Sequence, residues 1–429
     1  MNKQTTVTIF SSIQWLFFIF ANTVVVPISI ANVFELGPGT TELMMKSSLI
    51  FTGLACMFQG WLGHRFPLME GHSGLLWGLI LNLGLSASSI GMSLTSIGGG
   101  IASGIILACV ITLILASFNG VSLLQAIFTP MVMSAYLFLL TFQLIFIFFE
   151  GMFPLTEEGT INVPVSIFSV GLVILVAVLK LKGNKSISNF SILIGLVVGW
   201  ILYNLIFPNS TTDTAHSFDV TFQLFPLGQP NLEYGIIAVT CFAVLMNLSN
   251  TMVSIQAGEK LLNQGRTKKE IRNSIFITTI FTIIGSGFGL VPYTPFTSTI
   301  GFLQSTKIYK RTPFLIGGGL LALMGIIPVF GSFLVTMPVS VGNAVLLVAY
   351  LQLFGTAFSS LNGKTFNSNT IFRLAAPVLI GVCLMNISPT VFTSLPVLIQ
   401  PFITNGLIMG VIISIVLENI VNWKKLETE

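Results

Sequence analysis

Apolar stretches long enough to cross a lipid bilayer follow one another from residue 10 to residue 423, with almost no charge inside them. Charged residues make up only 7% of this 429-residue chain, against roughly 25% in a soluble domain. A bilayer core offers no water to satisfy backbone N–H and C=O groups, so the apolar stretches must be helices of about 20 residues each. The fold class expected is therefore an all-α polytopic membrane protein. Thirty-seven phenylalanines and forty glycines suit lipid-facing surface and close helix packing.

The spans are expected near 10–33, 41–62, 67–85, 97–117, 121–148, 163–182, 187–207, 233–256, 271–289, 294–306, 311–331, 338–361, 370–388 and 398–423, about fourteen in all. The first run is too long for a signal peptide and lacks a small-x-small cleavage site, so it counts as helix one. With the N-terminus inside, every Lys and Arg except Lys46 falls on a cytoplasmic end, among them Arg65, Lys180, Lys260, Arg266, Lys307, Lys364, Arg373, Lys424 and Lys425. The outer loops then carry Glu35, Glu157, Glu158, Asp213 and Asp219 and no basic residue. Both termini are thus expected in the cytoplasm. The cluster from Arg266 to Arg272 is a cytoplasmic anchor of this kind, and no nucleic-acid role is read from it. The four cysteines (Cys56, Cys109, Cys241, Cys383) stand singly in apolar segments and are expected to act as small buried hydrophobes.

Two spans are interrupted. Phe66-Pro67-Leu68-Met69-Glu70-Gly71-His72-Ser73-Gly74 opens the third, and Val291-Pro292-Tyr293-Thr294-Pro295-Phe296-Thr297-Ser298-Thr299 opens the tenth. Glu70 is the only carboxylate in the middle of a span, and an ionisable group in hydrocarbon marks a substrate or ion pathway by default. Proline removes a backbone donor and disfavours helix just before it, so each segment reads as a short extended strand followed by a half-helix. Ser73 and Thr297 or Ser298 are the expected N-caps. Fourteen spans divide into seven plus seven, which forces the halves into opposite orientation as an inverted repeat. The broken spans are the third of each half, so two half-helix N-termini are expected to aim free N–H groups at one midplane site.

The chain resembles the uracil/xanthine permease family, the nucleobase–ascorbate transporters, over nearly its whole length. The resemblance rests on Gln14-Trp15 and Asn22-Thr23-Val24-Val25-Val26-Pro27 in span one, Pro67-x-x-x-Gly71-x-Ser73 in span three, Ser298-Thr299-Ile300-Gly301 to Thr306-Lys307 in span ten, and Met337-Pro338-Val339-Ser340-Val341-Gly342 opening span twelve. It implies a cell-membrane permease, of the bacterial inner-membrane kind, that carries a nucleobase such as uracil, xanthine or another purine. It implies alternating access and proton symport (sodium as the alternative ion), no cofactor or metal, and a homodimer. It also implies a core domain in two parts, 1–118 and 233–333, and a gate domain in two parts, 119–210 and 334–429. With Glu70 and His72 taken from the interrupted span itself, the expected substrate-binding residues are Glu70, His72, Ser73, Gly74, Asn247, Asn250, Thr251, Phe296, Thr297, Ser298, Thr299 and Tyr350, with Phe296 and Tyr350 sandwiching the ring.

The chain departs from the family pattern at its polar anchors. Typical members carry a glutamate in span eight and a His or Asp four residues on; here Asn247 and Thr251 stand there, and Ser298 replaces the span-ten acid or amide. Alternate strand residues share a face, so Glu70 and His72 are expected to point together, and a carboxyl in a dry site can exchange a proton near neutral pH. They are the proton-coupling candidates, with Glu70 taking over from span eight. Each site residue also has a plain structural role open to it. Glu70 could cap a half-helix, and His72 could tie down irregular backbone. Asn247, Asn250 and Thr251 could bond between helices, Ser298 and Thr299 could cap, and Phe296 and Tyr350 could pack. An anion transporter of the sulfate type, with the same seven-plus-seven plan, is the competing reading; the negative charge of Glu70 counts against it. An enzyme is not expected, because Gly71-His72-Ser73-Gly74-Leu75 fails the Gly-x-Ser-x-Gly pattern, no His-Glu-x-x-His occurs, and His64 and His216 fall in loops on opposite faces. No filter or charged-ring signature of a channel is present.

Overall fold

Prolines, glycines and short polar runs decide where each helix stops. The computed structural model describes residues 3–118, 127–156, 158–208, 224–327, 330, 336–361, 366–396 and 398–423. Glu157, Asp213, Asp219, His216, Lys364, Lys424 and Lys425 lie outside these described residues. The first part of the chain forms α1 (Lys3–Ala21), α2 (Val25–Val33), α3 (Pro38–Trp61), β1 (Glu70–His72), α4 (Gly74–Leu85), α5 (Leu94–Ser117), α6 (Pro130–Met152), α7 (Val163–Lys182) and α8 (Lys185–Ile206). The second forms α9 (Tyr234–Leu262), α10 (Lys268–Gly287), β2 (Tyr293–Pro295), α11 (Thr299–Thr306), α12 (Arg311–Ile326), α13 (Val339–Tyr350), α14 (Gln352–Ser359), α15 (Ser368–Met385), α16 (Gln400–Ile403) and α17 (Gly406–Ile420).

The fold is helical, and among the described residues six stretches are long and apolar enough to cross a membrane: Thr5–Val33, α5, α6, α7, α9 and α15. The first expected span is broken at Asn22–Val24, where the Asn22 amide and the Thr23 hydroxyl turn back to the carbonyls of Phe18 (2.8 Å) and Ile19 (2.7 Å). Helix α6 starts at Pro130, where Thr129 caps it and proline suits the first turn; the expected start of this span at 121 lies outside the described residues.

Helix α3 packs along α12, with α1 on the other side of α12. The approach is backbone-close: a Cβ added at Gly53 would overlap Gly318 and Ala322. Trp15 of α1 is fully buried and meets Phe302 of α11 at 4.7 Å and Phe314 of α12 at 4.9 Å. Helix α5 packs on α9 and α10, while α6 gathers α13, α15 and α17. Helices α7 and α15 leave Ile167, Ile174, Phe372 and Leu379 exposed, as a hydrocarbon-facing surface does.

Four ion pairs occur among the described residues. Lys46, the one basic residue out of place in the expected topology, binds Glu42 one turn earlier on α3. Arg266 stacks 3.8 Å over Phe66 and, with Arg65, lies 3.5 Å from Glu270. His64, in the loop after α3, is buried and accepts from the Phe66 N–H (3.0 Å); burial pushes its imidazole down to about 3. Three of the cysteines are buried as expected. Cys383 is exposed, because it lies on the outward side of α15.

Candidate functional site

The two interrupted segments meet. Strand β1 pairs antiparallel with β2, with Glu70 opposite Pro295, Gly71 opposite Thr294 and His72 opposite Tyr293. The pairing continues past the strand ends through the Ser73 N–H to Pro292 O (2.8 Å) and the Phe296 N–H to Met69 O (2.8 Å). Proline explains why the segments are extended. Their burial requires every outward backbone group to find a partner, since irregular backbone at membrane depth is tolerated only inside protein.

Side chains of α9 supply those partners along β2. The Asn247 amide donates to Tyr293 O (3.0 Å) and accepts from the Ser73 hydroxyl (2.9 Å), clamping both strands at once. One turn on, Asn250 and Thr251 each reach Thr294 Oγ1 at 3.4 Å. The next turn brings Ser254 to Pro295 O (2.9 Å) and to Thr297 Oγ1 (2.7 Å). On the other edge, Cys56 Sγ lies 3.3 Å from both the N–H and the C=O of Glu70, and Thr282 accepts from the Tyr293 N–H at 3.1 Å.

The half-helix ends are less alike than their sequences. Ser73 is the N-cap of α4, with its hydroxyl accepting from the Leu76 N–H at 3.5 Å. Ser298 occupies the N-cap position of α11 in helical backbone and makes no side-chain cap bond. Thr297 is held by Ser254 instead, and the Thr299 hydroxyl accepts from the Met69 N–H at 3.3 Å. Capping by Thr297, Ser298 or Thr299 is thus corrected: the Thr297 and Thr299 hydroxyls brace neighbouring segments, and Ser298 makes no cap bond. The backbone donors need the same correction at Ser73, whose N–H is taken by Pro292. The N–H groups of Gly74, Thr297 and Ser298 have no partner among the described residues.

Glu70 and His72 point together toward α3 and α10. Glu70 Oε1 accepts from the Thr278 hydroxyl at 2.6 Å. His72 pairs through Nε2 with Ser48 Oγ (2.7 Å) and through Nδ1 with Val291 O (3.2 Å). A neutral imidazole satisfies both contacts with one donor and one acceptor. The opposite side of β1 carries no side chain at Gly71 and is covered closely, with Met69 Cε 2.9 Å from where a Cβ would stand. A Cβ built on Gly71 would stand 3.2 Å from the Phe296 ring, and one on Gly74 would stand 3.7 Å from Tyr350 and 3.8 Å from Leu140 and Leu144. Phe296 and Tyr350 therefore cover neighbouring glycines of one surface; no ring contact joins them, and Tyr350 stacks edge-on with Phe148 (5.4 Å) and Trp77 (6.0 Å). Gln143 of α6 reaches over the same half-helix to donate to Gly78 O at 2.8 Å.

The glycine surface gives a direct prediction. Gly74→Ala adds a methyl group at ordinary contact distance, so the stability of this variant should stay near the parent level. Gly74→Leu must displace Tyr350 or Leu140. Overpacking of this kind costs about 1–3 kcal/mol and should lower the thermal midpoint of the solubilised protein. Thermal unfolding of the two variants checks this.

Gln59, Ser254, Thr278 and Thr294 join these contacts without having been marked in the sequence. Hydroxyls recur at every fourth position in α3 (Ser48, Thr52) and α10 (Ser274, Thr278, Thr282), and that spacing was the available signal. Among the described residues no three His, Cys, Asp or Glu side chains gather as a metal site would need.

A buried pair of broken helices, clamped to a polar face of a full-length helix and covered by aromatic rings, defines a membrane transporter of the discontinuous-helix class. A solved structure, the transmembrane domain of a cyanobacterium bicarbonate transporter, BicA, shares this fold. Its TM-score is 0.63 at 10% identity, and 97% of each chain is covered. A model of the Permease family, the xanthine/uracil permeases, matches residues 6–390, and the chain belongs to that family. The Bacillus subtilis protein named xanthine permease is 24% identical, over 98% of this chain and 96% of its own. The Paenibacillus larvae nucleobase transporter PlUacP is 23% identical, over 93% of this chain and 91% of its own. The chain is accordingly a permease and not an enzyme.

Proposed function

We propose that this protein is a secondary active transporter that imports a nucleobase, uracil, xanthine or another purine, across the cell membrane by proton symport. The observation that carries the reading is the Asn247 clamp between the two strands. A neutral amide donates and accepts at once, so it can read both the C=O and the N–H of a lactam edge, where a carboxylate reads only the N–H. Ser73, Gly74, Asn250, Thr251, Thr297, Ser298 and Thr299 would line the polar edge, Phe296 and Tyr350 the faces of the ring. Glu70, with His72 beside it, would carry the proton. Relatives named for xanthine and nucleobases over nearly the full length support the substrate class.

The same proposal covers the architecture. About fourteen spans would form a seven-plus-seven inverted repeat, with both termini in the cytoplasm. The antiparallel pairing of β1 with β2 supports this, since two halves of opposite orientation bring their third spans together head to head. A core domain (1–118 and 233–333) would rock against a gate domain (119–210 and 334–429), and the gate would pack a homodimer. The Gln143–Gly78 contact would then lie on the moving surface. Anion transport is the second reading, favoured by the shared fold with the bicarbonate transporter.

Uptake of labelled uracil, xanthine, guanine, urate and sulfate into proteoliposomes separates the two. Accumulation of a base and not of sulfate is the expected result; sulfate uptake without base uptake would reduce the likeness to one of fold.

A further inference from the structure

The Glu70 side of β1 holds more unmet hydrogen-bonding capacity than a structural brace requires. Gln59 and Glu70 are fully buried, and Thr278 is 5% exposed. Gln59 Nε2 has two hydrogens and uses both, on Ser274 O (3.0 Å) and Thr278 Oγ1 (2.8 Å). The Thr278 hydroxyl passes its own hydrogen to Glu70 Oε1 (2.6 Å). Three buried oxygens of this cluster then have no partner: Gln59 Oε1, Glu70 Oε2 and Ser274 Oγ.

An ionised Glu70 can only accept, so it would leave Oε2 without a donor and a full charge without a cation. None of the four ion pairs among the described residues includes it. The titratable groups that face it are Cys56 from α3 and Tyr293 from β2, with His72 two residues along its own strand; α10 contributes only Ser274 and Thr278. An unpaired buried charge costs several kcal/mol. One proton on Oε2 removes that charge. Gln59 borders the carboxyl and is bonded to the same threonine, while its own Oε1 is turned back toward Gly63.

We propose that Gln59, Glu70 and Thr278 form a one-proton binding site, separate from the Asn247 clamp, in which Glu70 is held as a carboxylic acid. It rests on the proton-symport reading only for the use of the proton, not for the site itself. Glu70 and Ser73, which bonds Asn247, lie three residues apart on the same segment.

Infrared difference spectroscopy of the full-length protein in lipid vesicles at neutral pH tests this. The expected result is a carbonyl stretch from a protonated, hydrogen-bonded carboxylic acid that disappears in Glu70→Gln. It should shift in Gln59→Leu and in Thr278→Val, each of which removes one polar neighbour and keeps the carboxyl. A wild-type protein lacking the band, or a band that survives Glu70→Gln, would overturn the proposal. So would loss of the band on adding sodium at constant pH, which would assign the site to a metal cation. Base uptake in the same vesicles separates the two ideas: the band without base uptake keeps the proton site and rejects the substrate reading.

Discussion

Asn247→Leu is expected to abolish most transport while leaving the protein in the membrane. Leucine fits the volume, but it leaves the Tyr293 carbonyl and the Ser73 hydroxyl, both buried, without their shared partner. An unmet buried polar group costs about 1–3 kcal/mol. A combined loss near 3 kcal/mol corresponds to about a hundredfold lower uptake if transport requires the clamped strand pair. Asn247→Asp divides the effect. It keeps the acceptor for Ser73 but turns a carboxylate toward Tyr293 O, so it should fall between leucine and the parent only if the Ser73 contact matters more. Uptake rates at matched protein density, with gel filtration to verify folding, decide it. Unchanged uptake in Asn247→Leu would remove α9 from the site.

The second large effect is on stability. Arg373 of α15 and Glu418 of α17 form a two-pronged pair at 2.8 and 2.7 Å, each side chain 9% exposed, and Arg373 lies 4.9 Å from the Trp423 ring. Removing one partner of a buried pair costs about 3–5 kcal/mol, because the other charge is stranded, whereas replacing both with apolar groups is often nearly neutral. Arg373→Met should therefore lower the thermal midpoint of the solubilised protein by several degrees, and Arg373→Met with Glu418→Leu should restore most of it. Transport per folded molecule should be similar in both. A double variant as unstable as the single one would show that packing on Trp423, and not the stranded charge, is what matters.

Much of this arrangement was readable from residue order because proline and charge act locally. Pro67, Pro292 and Pro295 disrupt helix wherever they stand, so the two broken spans were visible before any contact was known. Asn247, Asn250 and Thr251 lie on one helix face by spacing alone. What that face meets was not readable, since Thr294 and the Tyr293 carbonyl lie more than forty residues away. Cap chemistry was misread at Thr297 and Ser298, because a hydroxyl beside a helix start can equally bond across to Ser254, and sequence does not say which neighbour is closer. Gln59 and Thr278 escaped notice for a related reason: isolated polar residues in apolar helices are common, and only the placement of β1 between α3 and α10 brings them to Glu70.

Uptake of labelled xanthine and uracil into proteoliposomes, with and without an inward proton gradient, tests the account most directly. Accumulation of a base above equilibrium that collapses when a protonophore removes the gradient, and that is lost in Glu70→Gln, is the predicted result. Base exchange indifferent to the gradient, or full accumulation by Glu70→Gln, would contradict a proton-driven permease with its proton on this strand.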